Sequence, residues 1–575
     1  MKGKENKLEE MRHSCAHLMA AAILKLFPSA KPTIGPTIEN GFYYDFDNLS
    51  ISDSDFPKIE KEMQSLVKSW SSFEKIEVTY EEAKKTFKDN PYKLELIEEL
   101  QKKGEKITLY ESGKFLDLCR GGHTQNTKEI KFFKLLSVAG AYWKGSEKNK
   151  MLTRVYGTAF PTQKELDNYI NLQEETKKRD HKKLGPLLEL FLFHETAPGM
   201  PYWLPKGLIL LNELINFWRD EHLKRDYKEI KSPLINKKSL YETSGHWDHY
   251  KENMFISETE EKETYCLKPM NCPNAMIVFD SKTRSYKDLP LRLSDTDTLH
   301  RYEKSGTLNG LLRVREFSQD DAHIFIEEGQ IKDEYEKLFE ITNHFYSIFG
   351  LKYKFRLGTR PENYMGDKKV WNKAEKELKK ILENSGKEYS ILEGDGAFYG
   401  PKIDILMNDS LGREWQMGTM QLDFQIPLRF DLKYSAEDGT QKTPVVIHRV
   451  IYGSLERFIG ILIEHFAGNF PTWLTPVQVK VLPITEKHLV YAKKVGDKLK
   501  EEGIRVEVDE RNERLQAKIR DAQLEKVAYM LIVGDREEKE RTVAERGRSG
   551  KDYGAQPLDK FIEDIKKEIK EKTIN

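Results

Sequence analysis

The sequence predicts a multidomain chain of mixed α+β class, and three observations support that prediction. Its 575 residues correspond to about three or four domains of ordinary size. Helical and extended patterns are interleaved through the first and middle parts of the chain, which is typical of α+β domains. After Leu474-Thr475-Pro476, strand patterns alternate with helix patterns, which predicts a smaller α/β domain with a mainly parallel sheet.

The composition narrows the class of protein. The 94 basic and 94 acidic side chains cancel, so a nucleic acid would be bound by local patches and not by a global basic field. No apolar run approaches the roughly 18 residues that span a bilayer, and the start MKGKENKLEE is too polar for a signal peptide. We therefore expect a cytoplasmic protein without a membrane span. The four cysteines form no CxxC pair, which argues against a disulfide framework and a zinc ribbon.

Two clusters of polar side chains occur in the first part of the chain. A helical stretch carries His13 and His17 four residues apart, on one face. The segment LDLCRGGHT carries Cys119 and His123 at the same spacing, with Asp117 just before them. One such pair is usually accidental, whereas two pairs of matched spacing in one domain favour a shared polar pocket.

Boundary signals divide the chain into segments. A charged helix is predicted from Gln163 to Lys183, and Gly185-Pro186 is a strong stop signal at its end. Its basic side chains are most simply a solvated face, with contact to an RNA backbone as the alternative. We predict domains at 1–162, 186–474 and 475–575, with a linker helix at 163–185.

The segment 299–325, LHRYEKSGTLNGLLRVREFSQDDAHIF, predicts two strands around a loop. Period two places one set of side chains on a single face of the second strand: Arg313, Arg315, Phe317, Gln319, Asp321, His323 and Phe325. Cations, a ring, an amide, a carboxylate and an imidazole suit a ligand such as ATP beside an amino acid. A solvated sheet face is the alternative that alternation alone favours.

A second hairpin is predicted around a turn at 408–412. Gln416 and Gln421 have opposite parity on its second strand, so both can face one site only if the ladder slips, and Gly418 is the candidate bulge. The later segment VVIHRVIYGSLERF predicts a buried strand and then a helix with Arg457 in its first turn. The helix dipole disfavours an arginine there unless an anion is near, which favours a phosphate ligand.

With these residues in view, the chain resembles the threonyl-tRNA synthetase family, a class II aminoacyl-tRNA synthetase family, over essentially its whole length. The segments KSPLI with Pro233, HRYEKSGTLNGLLRVREFSQDDAHIF and GSLERF resemble the three class II motifs. MNCP, QDDAHIF, PVVIHR and RDHKKLG are similar to this family in particular. HSCAH and CRGGH resemble its editing domain. Many members carry a ubiquitin-like domain ahead of HSCAH, whereas 12 residues precede His13 here, so we expect that domain to be lacking.

The resemblance implies a fold and a function. It implies a class II antiparallel-sheet catalytic core, an α+β editing domain and an α/β anticodon-binding domain. It also implies that the chain activates threonine with ATP, transfers it to tRNA(Thr) and hydrolyses mischarged seryl-tRNA(Thr). Mg²⁺ would accompany ATP, and the chain would form a homodimer. A catalytically silent paralogue that binds RNA is the alternative, and the presence of Arg301 and Arg457 argues against it.

The resemblance also implies residue roles in the catalytic and anticodon-binding domains. Arg301 would bind the α-phosphate and the carboxylate, Arg313 and Arg457 the remaining phosphates, and Phe317 would stack on adenine. The other substrate-binding positions are Gln319, Asp321, Tyr399, Lys402, Gln416 and Gln421. The anticodon-facing positions are Asn512, Arg520, Glu537 and Arg546.

Selection of threonine over valine calls for a metal, because an apolar pocket rejects a near-isostere only weakly. One zinc ion per chain, held by Cys272, His323 and His448 as the resemblance implies, leaves room for the amino group and hydroxyl of threonine. Asp321 would accept the hydroxyl proton, and Tyr399 would lie near the amino group. On the residues alone, Cys266 is an equal candidate ligand, and the resemblance selects Cys272.

Serine requires a second site, because the methyl group that it lacks is worth only roughly 1–3 kcal/mol. Hydrolysis of seryl-tRNA in a separate domain explains one residue set: His13, His17, Asp117, Cys119 and His123, with Lys93 and Tyr43 as weaker candidates. On ligand chemistry alone, HxxxH with CxxxH favours zinc.

The resemblance implies instead a metal-free editing pocket. His13 and His17 would bind the adenosine and help to activate water. Asp117, Cys119 and His123 would exclude the methyl group of threonine. A positioned water with general-base help contributes typically 10² to 10⁴-fold, which suffices for a labile ester.

Overall fold

A computed structural model describes residues 2–574 and divides the chain into two compact units, Met1–Glu174 and Glu175–Asn575. No helix within that described range is long and apolar enough to cross a bilayer. The predicted domain boundaries at 162, 185 and 474 stay predictions.

The first unit is a helix-covered antiparallel sheet with a smaller sheet beside it. Its elements are α1 (Lys2–Leu26), β1 (Lys31–Pro32), β2 (Thr37–Ile38), β3 (Gly41–Asp47), α2 (Phe56–Ser69), β4 (Glu74–Val78), α3 (Tyr80–Thr86), α4 (Pro91–Lys102), β5 (Ile107–Ser112), β6 (Phe115–Leu118), β7 (Phe132–Tyr142) and β8 (Met151–Phe160). The larger sheet has the order β1-β3-β8-β7, with β2 on β3, and the smaller has the order β4-β5-β6. Cys15 and Met19 of α1 belong to the buried core that also holds Phe42 and Phe46 of β3.

The predicted linker helix is two helices. Helix α5 runs over Gln163–Arg179, and α6 runs over His181–Leu187, through the Gly185-Pro186 pair that was expected to stop it. Asp180 separates them because its backbone leaves the helical region and its side chain accepts a hydrogen bond from the Lys182 amide, as an N-cap does. The prediction of one continuous helix is therefore wrong, since the cap lies five residues before Gly185.

The second unit is built around a large sheet whose central strands are antiparallel. From its start to the end of that sheet, its elements after α6 are β9 (Phe191–Leu192), β10 (Tyr202–Trp203), α7 (Pro205–Leu223), β11 (Lys228–Glu229), β12 (Ile235–Lys237), α8 (Lys238–Ser244), α9 (His246–Tyr250), β13 (Ile256–Glu258), β14 (Thr264–Leu267), α10 (Cys272–Asp280), β15 (Leu291–Asp295), β16 (Thr298–His300), β17 (Glu316–Ile326), α11 (Ile331–Ser347), β18 (Lys352–Gly358), α12 (Lys368–Ser385), β19 (Tyr389–Leu392), β20 (Lys402–Asn408), β21 (Glu414–Asp423), α13 (Ile426–Arg429), β22 (Tyr434–Ser435), β23 (Gln441–Lys442), β24 (Val445–Ser454) and α14 (Leu455–Phe466). The order is β11-β15-β17-β24-β21-β20-β18-β19, with β16 on β17. Buried residues of α7, α11, α12 and α14 form one core with one face of this sheet.

The rest of the second unit carries its own five-stranded sheet. Its elements are β25 (Val479–Pro483), α15 (Leu489–Glu501), β26 (Val506–Val508), α16 (Leu515–Leu524), β27 (Tyr529–Val533), α17 (Asp535–Glu540), β28 (Thr542–Gly547), β29 (Asp552–Pro557) and α18 (Leu558–Glu571). Strands β26, β25 and β27 are parallel, whereas β28 and β29 form an antiparallel hairpin at the edge. A mainly parallel sheet was predicted without this hairpin, because the charged sequence of residues 542–557 has little strand character.

Strand β17 covers only part of the predicted period-two pattern. It begins at Glu316, so Arg313 and Arg315 lie in the preceding loop, where the Arg315 amide donates to the Gly199 carbonyl. The register against β24 also shifts between Gln319 and Asp321. Two steps along β17 face four along β24 at this point, so the extra residues belong to β24 and the alternation of β17 continues, with Ala322 and Ile324 in the core. The prediction of one continuous face from residue 313 to 325 is therefore wrong for Arg313 and Arg315, which precede the strand.

The predicted slip in the second hairpin is confirmed. Residues Leu406 and Asp404 of β20 pair with Gln416 and Thr419 of β21, so β21 has an extra residue between them. A Cβ atom on Gly418 would lie 2.3 Å from the Val450 carbonyl oxygen. Only glycine permits this close approach of two backbones.

We expect Gly418→Ala to destabilise the second unit by about 1–3 kcal/mol, because the new methyl group would force β21 away from β24. Thermal melting of the full chain should show a transition lowered by a few degrees. Gly329→Ala is the matched control, since no atom lies within 4 Å of its added Cβ. Equal melting temperatures for the two variants would contradict this account of the bulge.

Candidate functional site

Three potential metal ligands meet at the centre of the large sheet. His323 of β17 and His448 of β24 are direct partners in the antiparallel ladder, and their rings are 4.8 Å apart at the centroids. Cys272 is the first residue of α10. One ligand atom from each residue lies within 4.8 Å of the others, and all three side chains are buried. We call these three residues the triad.

The ring nitrogens of the triad fit a metal ion. Both nitrogens of His323 and Nδ1 of His448 are buried without a hydrogen-bond partner, although buried polar atoms are normally paired. Nε2 of His448 lies 2.8 Å from a carboxylate oxygen of Asp423, the arrangement that orients a metal-binding imidazole. Burial lowers the pKa of His323, which favours the neutral form that binds metals. A thiol and two imidazoles with free nitrogens form a donor set suited to zinc.

Cys266 does not belong to this group. It is a fully buried residue of β14 in an apolar cluster with Tyr241, Met254, Met270 and Cys272, but its sulfur is not among the ligand atoms of the triad that lie within 4.8 Å of one another. Geometry therefore separates the two cysteines that the residues alone left equivalent.

Polar side chains surround the triad. The Asn271 amide donates to a carboxylate oxygen of Asp321 at 3.1 Å, and burial raises the pKa of Asp321 to about 6. The Tyr399 hydroxyl donates to the side-chain oxygen of Gln421, which pairs with His448 in the ladder. The Tyr399 ring lies 5.0 Å from the His448 ring. These groups can bind an amino group and a hydroxyl beside a metal.

Three arginines converge close to this pocket. The Arg301 guanidinium lies over the Phe317 ring at 5.0 Å. Arg457 donates to the Leu312 carbonyl at 3.0 Å, and its pKa is lowered by burial and then by the neighbouring cations of Arg313 and Arg301. Arg313 forms an ion pair with Glu303 at 2.9 Å. Such mutual repulsion is relieved by a bound polyanion.

Tyr399 connects the arginines to the triad. Burial raises its pKa well above the ordinary value, the Cys272 thiol raises it further, and Arg301 lowers it. Both groups are therefore close enough to act on one hydroxyl.

Lys402 and Gln416 meet at a buried carboxylate. The Lys402 ammonium lies 3.2 Å from Asp404, and the Gln416 amide donates to Asp404 at 3.0 Å. Arg356 donates to Gln416 at 2.8 Å. Asp404 and Arg356 were not predicted, although the charged pair Lys402 and Asp404 within the apolar strand KIDILM indicates a buried ion pair. Gln319 of β17 pairs with Ser454, next to the bulge in β24.

The first unit contains the second cluster. His13 and His17 of α1 lie with Cys119 and His123 so that one ligand atom of each is within 4.8 Å of the others. The Cys119 sulfur is 3.5 Å from His13 and 3.3 Å from His123. A cleft of about 410 Å³ is lined by His13, His17, Asp117 and Cys119 among other residues.

Titration of this cluster is dominated by burial. Burial and the neighbouring imidazoles lower the pKa of His123 to about 2 and hold that of His17 well below its usual range. Burial raises the pKa of Cys119 to about 11. The imidazoles are therefore neutral and can accept a hydrogen bond from water, and the cysteine is a thiol, which disfavours attack by a thiolate.

Asp117 anchors a buried ion pair beside the cluster. The Lys93 ammonium lies 2.5 Å from Asp117, with both side chains at most 3% exposed. The Tyr44 hydroxyl donates to Asp117, and Lys93 donates to that hydroxyl at 3.3 Å. The weaker candidate Tyr43 instead stacks on Arg154 at 3.8 Å. Alternation along GFYYDF turns Tyr44 to the site and Tyr43 away, so Tyr43 is corrected to Tyr44.

The four predicted anticodon positions lie on a loop, two helices and one strand of the region that contains the five-stranded sheet. Asn512 is exposed in the loop before α16, and Arg520 of α16 pairs with Asp521 at 3.1 Å. Glu537 of α17 accepts from the Gly534 amide, and Arg546 of β28 donates to the Gly550 carbonyl. Within residues 2–574, no hydrogen bond or ion pair joins these four to one another.

Comparison with known proteins gives three matching families. The "tRNA synthetase class II core domain (G, H, P, S and T)" matches residues 255–466, and the "Anticodon binding domain" matches 478–568. The "Threonyl and Alanyl tRNA synthetase second additional domain" matches 107–156. The last match includes Asp117, Cys119 and His123 of the first-unit cluster.

Curated relatives and solved structures give the same result. The threonine–tRNA ligase of Thermotoga neapolitana is 53% identical over 98% of this chain and 89% of its own length. That of Caldanaerobacter subterraneus is 54% identical over 98% of this chain and 87% of its own. A crystal structure of the RNA binding domain of threonyl-tRNA synthetase from Cryptosporidium parvum has a TM-score of 0.66 at 43% identity, covering 68% of this chain and 98% of that one.

Proposed function

Because this chain belongs to the threonine–tRNA ligase family, we propose how its individual residues carry out the reactions of that family. The enzyme joins threonine to ATP with loss of pyrophosphate, transfers the threonyl group to tRNA(Thr) and hydrolyses mischarged seryl-tRNA(Thr). Mg²⁺ accompanies ATP in this family. The observation that carries the residue assignment is the pair of facing histidines with free ring nitrogens, close to the three arginines.

The arginines hold the nucleotide. During activation, negative charge develops around the α-phosphate, and fixed cations stabilise it without reorganisation. Arg301 binds the α-phosphate and the threonine carboxylate, while Arg313 and Arg457 bind the remaining phosphates. Phe317 stacks on adenine. The repulsion among these arginines supports the assignment, because an anion removes it.

Further polar residues complete the nucleotide site. Gln319, Lys402 and Gln416 line it, and two of them are held by one buried carboxylate, that of Asp404. Such bonding keeps both side chains in place before the substrate arrives.

The triad selects threonine. Cys272, His323 and His448 hold one zinc ion, which when bound supplies a Lewis acid for the amino group and hydroxyl of the substrate. Asp321 accepts the hydroxyl proton. Tyr399 and Gln421, joined by their own hydrogen bond, orient the amino group. Valine lacks the hydroxyl and would leave this polar site unpaired, which costs more than a missing methyl group.

The first-unit cluster hydrolyses the serine ester. His13 and His17 bind the terminal adenosine and accept a proton from water, and their neutral state supports this role. Asp117, Cys119 and His123 limit the space beside the ester, so that serine enters and the methyl group of threonine is excluded. This pocket works without a metal, because a positioned water with a general base is sufficient for an ester.

The remaining assignments rest on family membership. Asn512, Arg520, Glu537 and Arg546 contact the anticodon, because loops and edges of a rigid α/β domain suit unstacked bases. The chain forms a homodimer and acts in the cytoplasm, where its tRNA and ATP are used.

Threonine-dependent ATP/pyrophosphate exchange tests the assigned site. We expect strong exchange with threonine, weaker exchange with serine, and none above background with valine, because only the first two carry the hydroxyl. The assay compares the three amino acids at equal concentration with one enzyme preparation. Valine activation equal to that of serine would rule out a hydroxyl-selecting site.

We expect Cys272→Ala to lose both bound zinc and exchange activity, because a metal site with one of three protein ligands removed binds far more weakly. Cys266→Ala is the matched control: it is an equally buried cysteine outside the triad and should keep metal and activity. Metal content is measured by elemental analysis of the purified proteins. A metal content unchanged by Cys272→Ala would place the ion elsewhere.

We expect His13→Ala and Cys119→Ala to accumulate seryl-tRNA(Thr) while one zinc ion per chain and threonine activation remain. The reason is that the two clusters lie in separate units and only the triad holds a metal. Hydrolysis of preformed seryl-tRNA, with metal content measured on the same samples, checks this. Two zinc ions per chain, with the second lost in either variant, would overturn the metal-free assignment.

A further inference from the structure

A third group of potential metal ligands lies at the start of α6 and shares no residue with the other two groups. Asp180, His181 and Glu464 come within 4.8 Å of one another by their ligand atoms. Unlike the triad, this cluster is saturated by protein groups. His181 Nδ1 lies 2.6 Å from a Glu464 oxygen, and Nε2 lies 3.1 Å from the Leu311 amide nitrogen. No ring nitrogen is left for a metal ion.

The hydrogen-bond partners of His181 define the tautomer of its imidazole. A backbone amide only donates, so Nε2 accepts from Leu311 and the ring proton lies on Nδ1, which donates to Glu464. Glu464 is fixed in turn: its pKa is lowered by hydrogen bonds from His181 and Arg413 that outweigh the opposing effect of burial. The imidazole is therefore a rigid spacer between α14 and the loop at 309–312.

That loop carries the backbone group that holds Arg457. The Leu312 carbonyl accepts from Arg457 at 3.0 Å, and its amide donates back to the Asn309 carbonyl at 2.9 Å. The Lys182 ammonium, next to His181, donates to the Asn309 side chain at 3.1 Å. Two consecutive residues of α6 thus contact this four-residue turn, Lys182 at Asn309 and His181 at Leu311.

Packing makes the contact specific. Gly310 has a φ of +50°, and a Cβ atom there would lie 2.2 Å from Nε2 of His181. The ring of His181, which is 1% exposed, also lies against Gly460 of α14. The loop backbone therefore rests directly on the imidazole.

We infer that His181 is a positioning residue for ATP binding, which acts by fixing the 309–312 loop and through it the Arg457 guanidinium. This inference rests on the proposed role of Arg457 in binding ATP phosphates. His181 touches no substrate. Its loss allows the Leu312 carbonyl to move and so releases Arg457 from the geometry that a phosphate needs.

Two substitutions separate the two hydrogen bonds of His181. In His181→Asn, the amide nitrogen takes the place of Nδ1 and keeps the bond to Glu464, but no acceptor reaches Leu311. In His181→Gln, the longer side chain brings its oxygen to the place of Nε2 and keeps that acceptor. Glu464 then retains the residue 181 amide and Arg413 as donors.

Steady-state exchange kinetics test the inference. We expect His181→Asn to raise the KM for ATP roughly threefold to tenfold, the change that loss of one hydrogen bond produces. The KM for threonine should stay within about twofold, and His181→Gln should restore the KM for ATP. Thermal melting of the full chain checks that the second unit, which contains residue 181, is folded in each variant. Lys183→Ala, an exposed neighbour, is the matched control.

Other outcomes overturn the inference. An unchanged KM for ATP in a folded His181→Asn protein overturns it. Equal increases of the KM for ATP and the KM for threonine in both the Asn and the Gln variant also overturn it. Should His181→Asn not fold, Lys182→Ala carries the test, because it loosens the same loop from an exposed position; an unchanged KM for ATP there overturns the role. Arg457→Ala is the reference: if it leaves exchange intact, the proposed ATP site itself is wrong.

Discussion

The register between β17 and β24 is the constraint on which the catalytic site depends. It sets His323 opposite His448, and Asp321, two residues before His323 on the same strand, lies on the same side of the sheet. A shift of β17 by one residue would reverse every side chain of that strand and move His323 into the apolar core beneath the helices. The core residues Ala322 and Ile324 on the other face oppose such a shift, because they would become exposed to the pocket. Core packing therefore maintains the site.

Two buried histidines show how hydrogen bonding separates a ligand from a support. His323 has no partner for either ring nitrogen, whereas His181 has a partner for both. Leaving buried polar atoms unpaired costs free energy in the unliganded protein, and binding of an ion recovers it. His181 has no unpaired ring nitrogen with which to bind an ion. Its contribution is to support the 309–312 loop, through the Leu311 amide and the close approach of Gly310.

The sequence predicted more of this site than of its surroundings. The slip at Gly418 followed from the opposite parity of Gln416 and Gln421, and the structure has it. The break at Asp180 was not predicted, because the capping residue lies within a charged run, whereas Gly185-Pro186 is a stronger stop signal. Tyr44 and Arg356 were not predicted for another reason: their partners Asp117 and Asp404 are distant in sequence, and a single chain does not reveal which buried polar groups meet. The ligand roles came from resemblance, since one cysteine and two histidines so far apart carry no local pattern.

The contact between His181 and Gly310 has a consequence for how the sequence can vary. Any side chain at position 310 would collide with the imidazole. What position 310 tolerates therefore depends on residue 181, although the φ of +50° at Gly310 also favours glycine. Among relatives we expect positions 181 and 310 to covary, although the first belongs to a connecting helix and the second to the catalytic core.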